Sequence, residues 1–197
     1  SDSLQVTELY MTYVQEYGAL VVGRVPLQFG LGMTYNAGQG LFDHWYDNRD
    51  LVGYKIIMGN FYLLPMLAKI SEGNPSSNDD VTEYLVQLQY ENPEIDLEMG
   101  VFHRVRKANN SGGDAPLGTA NGEIFGGPGA TRGKVDLQTT SLYVVRDREY
   151  FRGGVEVSFD GGHPGVYTID GDRTSVSAFG IAGEFEYRPE SGKNKYG

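Results

Sequence analysis

The 197-residue chain has no cysteine, one tryptophan and three histidines. Without cysteine, neither a disulfide framework nor a thiolate metal site can form. No stretch approaches the roughly 18 continuous apolar residues of a membrane helix. Lysine and arginine total 16 against 26 aspartate and glutamate, a net charge of −10, and the basic residues are scattered singly. Phosphate binding needs clustered cations, so the balance argues against a nucleic-acid partner. Gly126-Gly127-Pro128-Gly129 is not followed by a Lys-Ser/Thr pair and makes no phosphate cradle. No nucleophile elbow is visible, so the chain is expected not to be an enzyme, and no motif implies a cofactor.

Glycine (28) and tyrosine (14) are plentiful instead. Glycine suits turns and strand kinks, and tyrosine suits membrane–water interfaces. Mean hydropathy is −0.37, which does not exclude a membrane barrel, because every second residue of a barrel strand faces a polar lumen. Ser1-Asp2-Ser3 leads directly into a strand, so the chain is expected to be a mature or cut form without a signal peptide.

Tight turns and long loops alternate. Turns fall at Glu16-Tyr17-Gly18, Gly59-Asn60, Glu91-Asn92-Pro93-Glu94 and Asp147-Arg148-Glu149-Tyr150, and loops near 28–50, 71–81, 107–134 and 160–175. Nine strands are expected near 4–15, 18–28, 51–59, 61–71, 81–91, 95–107, 134–147, 151–160 and 176–187. Each is about ten residues long, enough for a tilted strand to cross a bilayer. In the fifth, Tyr84, Val86, Leu88 and Tyr90 oppose Glu83, Gln87 and Gln89. In the sixth, Ile95, Leu97, Met99, Val101 and Val105 oppose Asp96, Glu98, Arg104 and Arg106. The fourth sets Tyr62, Leu64, Met66 and Ile70 against Lys69; the eighth sets Phe151, Val155, Val157 and Phe159 against Arg152, Glu156 and Ser158. The ninth sets Phe179, Ile181, Phe185 and Tyr187 against Glu184 and Glu186, while Leu142 and Val144 of the seventh fall on its lumen face.

These patterns predict an all-β fold: an antiparallel, up-and-down transmembrane β-barrel, occupying 1–197 as a single domain. A soluble carbohydrate-binding β-sandwich, its Trp45-Tyr46 loop stacking on sugar, is the competing fold, because sandwich strands alternate too. Short turns of such barrels lie in the periplasm, so both the first and the ninth strand descend. Bacterial single-chain barrels have an even strand number. Nine strands are therefore expected to be a portion of a larger barrel, since open edges are untenable in lipid.

The run Gly23-Arg24-Val25-Pro26-Leu27-Gln28-Phe29-Gly30-Leu31-Gly32-Met33 continues into Tyr35-Asn36-Ala37-Gly38-Gln39-Gly40 and Asp43-His44-Trp45-Tyr46-Asp47. It resembles a porin-like Gram-negative outer-membrane family of predatory and other delta-type proteobacteria, in which "GR-x-P" and "WGLGM" lead into a Gly/Asp-rich loop. Phe29 stands where that family has Trp. The resemblance covers a small part of the chain. It implies a barrel channel, or a barrel of unassigned role, and supplies no catalytic residues. Phe185 and Tyr187 are similar to the closing aromatics of a final barrel strand. Ala182 occupies that pattern's glycine position, which makes the ninth strand an internal one.

Pore-lining candidates are Glu8, Arg24, Lys55, Lys69, Glu83, Glu98, Arg104, Arg106, Arg152, Glu156 and Glu184. Rings of charge at close quarters select solutes, although mixed charges also simply hydrate a lumen or pair across strands. Arg24, Arg104 and Arg106 are expected as a basic ladder facing Glu83, Glu98 and Glu156. Asp43, Asp47 and Asp50 are weak cation candidates, since hard cations favour clustered carboxylates, but no metal-site motif frames them. The 28–50 loop is alternatively expected to fold inward as a constriction. His103 and Ser141 are expected on one lipid-facing surface, as in outer-membrane phospholipases. Expected partners are the bilayer and its lipopolysaccharide, another outer-membrane protein or barrel-assembly machinery on the open edges, or further copies of the chain.

Overall fold

The computed structural model describes residues 7–38, 47–69, 81–108, 131–132, 134–167 and 172–188. Eleven strands occur in chain order: β1 (Leu9–Gln15), β2 (Gly18–Pro26), β3 (Asn48–Met58), β4 (Phe61–Lys69), β5 (Val81–Asn92), β6 (Leu97–Ala108), β7 (Thr131–Arg132), β8 (Val135–Asp147), β9 (Phe151–His163), β10 (Val166–Tyr167) and β11 (Val176–Tyr187). Nine of them form one sheet in the order β1-β2-β3-β4-β5-β6-β8-β9-β11, and β7 pairs with β10 as a small separate ribbon. Every ladder is antiparallel, so the protein is all-β with up-and-down connectivity. The nine long strands are those the sequence predicts; β9 runs on to His163, and β3 starts at Asn48, inside the expected loop. Among the described residues no helix is long and apolar enough to cross a membrane.

Local chemistry sets the tight ends. Gly59 turns the β3–β4 hairpin at φ 60°, and Asp96 takes φ 54° in the turn into β6, a left-handed conformation that aspartate tolerates better than most side chains.

The sheet is strongly curled. The backbone N–H of Leu31, five residues beyond the end of β2, lies 2.8 Å from a carboxylate oxygen of Glu156 on β9. In a flat sheet β2 and β9 would stand six strand spacings apart, about 29 Å. Five extended residues span at most about 17 Å. The concave side therefore wraps around the segment 27–38. No ladder joins β1 to β11 among the described residues, and both strands run in the same direction.

Cross-strand register sorts the side chains. One row on the convex face runs Arg24, Asp50, Lys69, Thr82, Lys107, Asp136, His163, close to the long-loop ends of seven neighbouring strands. A parallel row lower down runs Ile56, Leu63, Leu88, Val101, Leu142, Val157, Ile181. Leu88, Val101, Leu142 and Ile181 of that row are exposed.

Several sequence expectations about faces are corrected here. In β4, Met66 and Ala68 are buried on the concave side, with Tyr62 and Leu64 in phase, while Lys69 lies on the convex face; Ile70 falls outside the described residues. In β8, Leu142 and Val144 are exposed on the convex face, and Ser141 is fully buried on the concave one. Arg24 is likewise convex, held by Asp50 through paired contacts of 2.8 and 2.7 Å. The cause is common to all three. The concave side of this sheet packs an apolar core of Leu27, Phe29, Tyr35, Leu51, Met66, Leu85, Phe102, Tyr143 and Val145, so an apolar phase no longer identifies the outer face.

Candidate functional site

The segment 27–38 is laid into the concave face. Pro26 has no N–H to continue the ladder. The following residues make a small hairpin of their own. Phe29 N–H donates to Tyr35 O at 3.1 Å and Gly32 N–H to Phe29 O at 3.0 Å, while Leu27 N–H donates to Asp47 O at 2.9 Å. The Gln28 side chain accepts from Ala37 N–H at 2.9 Å. This part of the 28–50 loop takes the inward course expected for it; residues 39–46, including Asp43, His44, Trp45 and Tyr46, lie outside the described residues.

Phe29 and Tyr35 are each 1% exposed. The Phe29 ring sits 4.8 Å from Tyr143, edge on, and 5.2 Å from Phe102. Wall glycines make the room. A methyl group built on Gly100 would lie 2.4 Å from the Tyr143 ring and 3.2 Å from Phe29, and one on Gly154 would lie 2.9 Å from Leu31. Gly30 itself has φ +53°, and an added Cβ would come within 2.8 Å of Tyr143 and 2.9 Å of Glu156. Gly30→Ala combines backbone strain with overpacking, so it should cost roughly 1–3 kcal/mol. Thermal unfolding of the variant beside the parent checks this.

Two buried glutamates fasten the segment. Glu156, 0% exposed, accepts from the backbone N–H groups of Leu31 at 2.8 Å and Met33 at 3.2 Å, and from the Thr34 hydroxyl at 3.2 Å. Thr34 also meets Ser141, whose hydroxyl reaches Ser158 at 2.8 Å. Glu83, also 0% exposed, is surrounded by Arg49 at 2.9 Å, Arg106 at 2.8 Å and Arg104 at 3.6 Å. The Tyr35 hydroxyl lies 3.1 Å from both Glu83 oxygens and accepts from Arg104 at 3.2 Å. Burial first, then the Glu83 charge, pushes the Tyr35 hydroxyl above its ordinary value, so it stays a protonated donor. The three guanidinium charges are balanced by Glu83 itself, by Asp47 at 3.5 Å from Arg49 and by Asp160 at 3.8 Å from Arg104.

Toward the short-turn end the concave face stays polar. Glu91 and Glu98 stand directly opposite each other across β5 and β6, an unfavourable like-charge placement. The Gln89 amide relieves it by donating to both at 2.7 Å. Tyr62 contacts Gln89 and carries the Lys55 ammonium 3.6 Å above its ring. Arg152 pairs with Glu184 at 3.0 Å, and Arg188 with Asp147 at 2.6 Å.

Of the expected pore-lining set, the concave side holds Lys55, Glu83, Glu98, Arg104, Arg106, Arg152, Glu156 and Glu184, with Glu83 and Glu156 covered by the inserted segment. Arg24 and Lys69 are on the other face, and Glu8 is exposed beside β1. The expected basic ladder opposite an acidic one does not form: Arg104 and Arg106 converge on Glu83 itself. Asp50 is committed to Arg24, and Asp47 caps Asn36 N–H at 3.2 Å. Among the described residues no three acidic or histidine groups are placed to hold a metal ion. His103 and Ser141 do not meet; His103 contacts Thr140 at 2.9 Å on the convex face. Sequence reasoning missed Arg49, Tyr35, Thr34 and Asp160. Their positions lay in expected loops or at strand ends, and only register and the inward fold bring them to the glutamates.

No protein-family model matches the chain, and no curated protein sequence matches it.

Proposed function

We propose that this chain is barrel wall of the bacterial outer membrane, passing small solutes along the polar parts of its concave face past a constriction made by segment 27–38. One observation carries the membrane reading. On the convex face, among the described residues, no Asp, Glu, Lys or Arg occurs between the charged row of Arg24, Asp50, Lys69, Lys107 and Asp136 and Arg146 near the opposite end. Asp136 and Arg146 are about ten residues apart, roughly 34 Å along the strand at 3.4 Å per residue. Tilted by about 45°, that span is close to the ≈ 25 Å apolar band of such barrels. Large apolar side chains within it, among them Val86, Leu142, Val155 and Phe179, are exposed. They favour lipid as their solvent.

The solute path is supported by charges of both signs on the concave face. The burial of Phe29 and Tyr35 favours a second reading, a plugged barrel with a structural or partner-holding role. The β1 and β11 edges, which no ladder joins among the described residues, bear on that reading as well. They run in the same direction, so an all-antiparallel seam needs an odd number of further strands, from this polypeptide, another outer-membrane protein or the assembly machinery. Conductance of the full-length protein in planar bilayers decides between the readings. Stepwise current is expected, and it should grow when residues 28–37 are deleted. A silent parent whose deletion form conducts would leave the plugged barrel, and a silent bilayer in both forms would remove solute passage.

A further inference from the structure

An apolar groove of about 470 Å³ crosses the convex face over β5, β6, β8 and β9. Register sets two rows side by side in it: Tyr90, Met99, Val144, Val155 and, one step nearer the long loops, Leu88, Val101, Leu142, Val157. The next row toward the short turns reads Asn92, Leu97, Arg146, Gly153, Phe185. Arg146 is its only charge. It is exposed, two residues along β8 from Val144 and on the same face, and its guanidinium has no ion pair or side-chain hydrogen bond among the described residues. Nearby acids are engaged elsewhere. Asp147 pairs with Arg152 and Arg188, and it lines a separate polar cavity together with Asp96 and Glu98. Gly153 leaves open space beside the arginine, where an added Cβ would meet nothing nearer than the Phe185 ring at 3.7 Å. Phe151 and Phe185, with rings stacked 6.5 Å apart, flank this end, as aromatic side chains do at the level of lipid headgroups.

We infer that the groove and Arg146 together form a site for one anionic phospholipid, with its headgroup phosphate on the guanidinium and an acyl chain in the groove. The inference rests on the reading of the convex face as lipid-facing and names the lipid held there. Charge complementarity selects the occupant. A guanidinium meets a phosphate through two parallel hydrogen bonds, and a cation at headgroup level attracts anionic lipid. The groove starts one row from Arg146 on the side of the membrane centre, which is the way an acyl chain leaves its headgroup. Phosphatidylcholine offers the same phosphate but carries its own ammonium beside it. Short turns of such barrels lie in the periplasm, so the lipid held here belongs to the periplasmic leaflet.

Native mass spectrometry of the detergent-solubilised full-length protein, titrated with phosphatidylglycerol or phosphatidylcholine of the same acyl chains, tests the site without needing current. One phosphatidylglycerol should be retained about fivefold more tightly than phosphatidylcholine, the factor that one arginine at headgroup level implies. Arg146→Gln should bring the two lipids level, and Arg146→Lys should restore part of the preference. Arg146 is exposed, so both variants should fold as the parent does. Val101→Trp fills the groove and should weaken both lipids alike, leaving their ratio intact. Glycerol phosphate should displace neither lipid. Equal retention of both lipids by the parent would overturn the site while leaving a lipid-facing wall, as would a preference that survives Arg146→Gln. Unchanged retention in Val101→Trp would overturn the groove as the acyl site, and displacement by glycerol phosphate would assign the arginine to free phosphate instead. A dimer free of lipid would give the face to a second copy of the chain and overturn the site too. Retention of neither lipid would remove the site together with the membrane reading on which it rests.

Discussion

Replacing Glu83 with glutamine is expected to cost about 3–5 kcal/mol of stability, the range for removing one partner of a buried charge cluster. The side chain is fully buried and has three guanidiniums around it, two of them within 2.9 Å. Glutamine keeps the shape but leaves Arg49, Arg104 and Arg106 facing one another with too little negative charge. It also replaces one of the two oxygens that the Tyr35 hydroxyl meets with an NH2 group. The loss should appear as a lower urea midpoint for protein folded in lipid vesicles, and segment 27–38 should become open to proteases in the same variant. Arg106→Gln should cost less, because two cations remain on the carboxylate. A Glu83→Gln variant within about 0.5 kcal/mol of the parent, the range of an ordinary surface substitution, would show that the cluster does not hold the segment.

Leu142→Arg is the second large effect, and it tests the surroundings of the convex face. Leu142 is 44% exposed in a row of apolar residues midway between Asp136 and Arg146. At the middle of a bilayer an arginine on the outer face of a barrel costs about 2–4 kcal/mol. On a water-facing sheet the same change falls within about 0.5 kcal/mol. Urea unfolding in phosphatidylcholine vesicles, with Leu142→Ala as the control for lost side-chain volume, distinguishes the two. A cost near zero for arginine would sink the membrane reading whatever the conductance shows.

Some strands could be phased from sequence and others could not, and the contrast has one cause. In β5, Glu83, Gln87 and Gln89 are polar and concave, while Tyr84, Val86 and Leu88 are apolar and convex. Period two gives the faces directly there, because the polar side is satisfied by Arg106, Arg49 and Tyr62 rather than by an apolar neighbour. In β4 both faces are apolar: Met66 and Ala68 meet the core, and Leu67 faces outward. In β8 the buried Tyr143 and Val145 alternate with the exposed Leu142 and Val144. Alternation carries no phase when both sides are hydrophobic, so the lone polar residue decides it. Lys69 misleads in that role because it ends its strand in the outer charged row. Arg24 misleads likewise, since its partner Asp50 appeared to belong to a loop.

The inserted segment was only half legible. Its glycines and aromatics stand out in Phe29-Gly30-Leu31-Gly32-Met33, and an inward fold was among the expectations. Nothing local in that run points to Glu156, which is 125 residues from Leu31. By itself the sequence determined the all-β class, the nine long strands and the alternation of tight turns with long loops. Those follow from period-two patterning and turn chemistry within a few neighbouring residues. Only the tertiary structure decided that segment 27–38 fills part of the concave side, that Glu83 and Glu156 fasten it, and that Arg24 and Lys69 look outward. Each of these depends on how far the sheet curls and on which residue stands across from which, and both are set by packing between segments far apart in the chain.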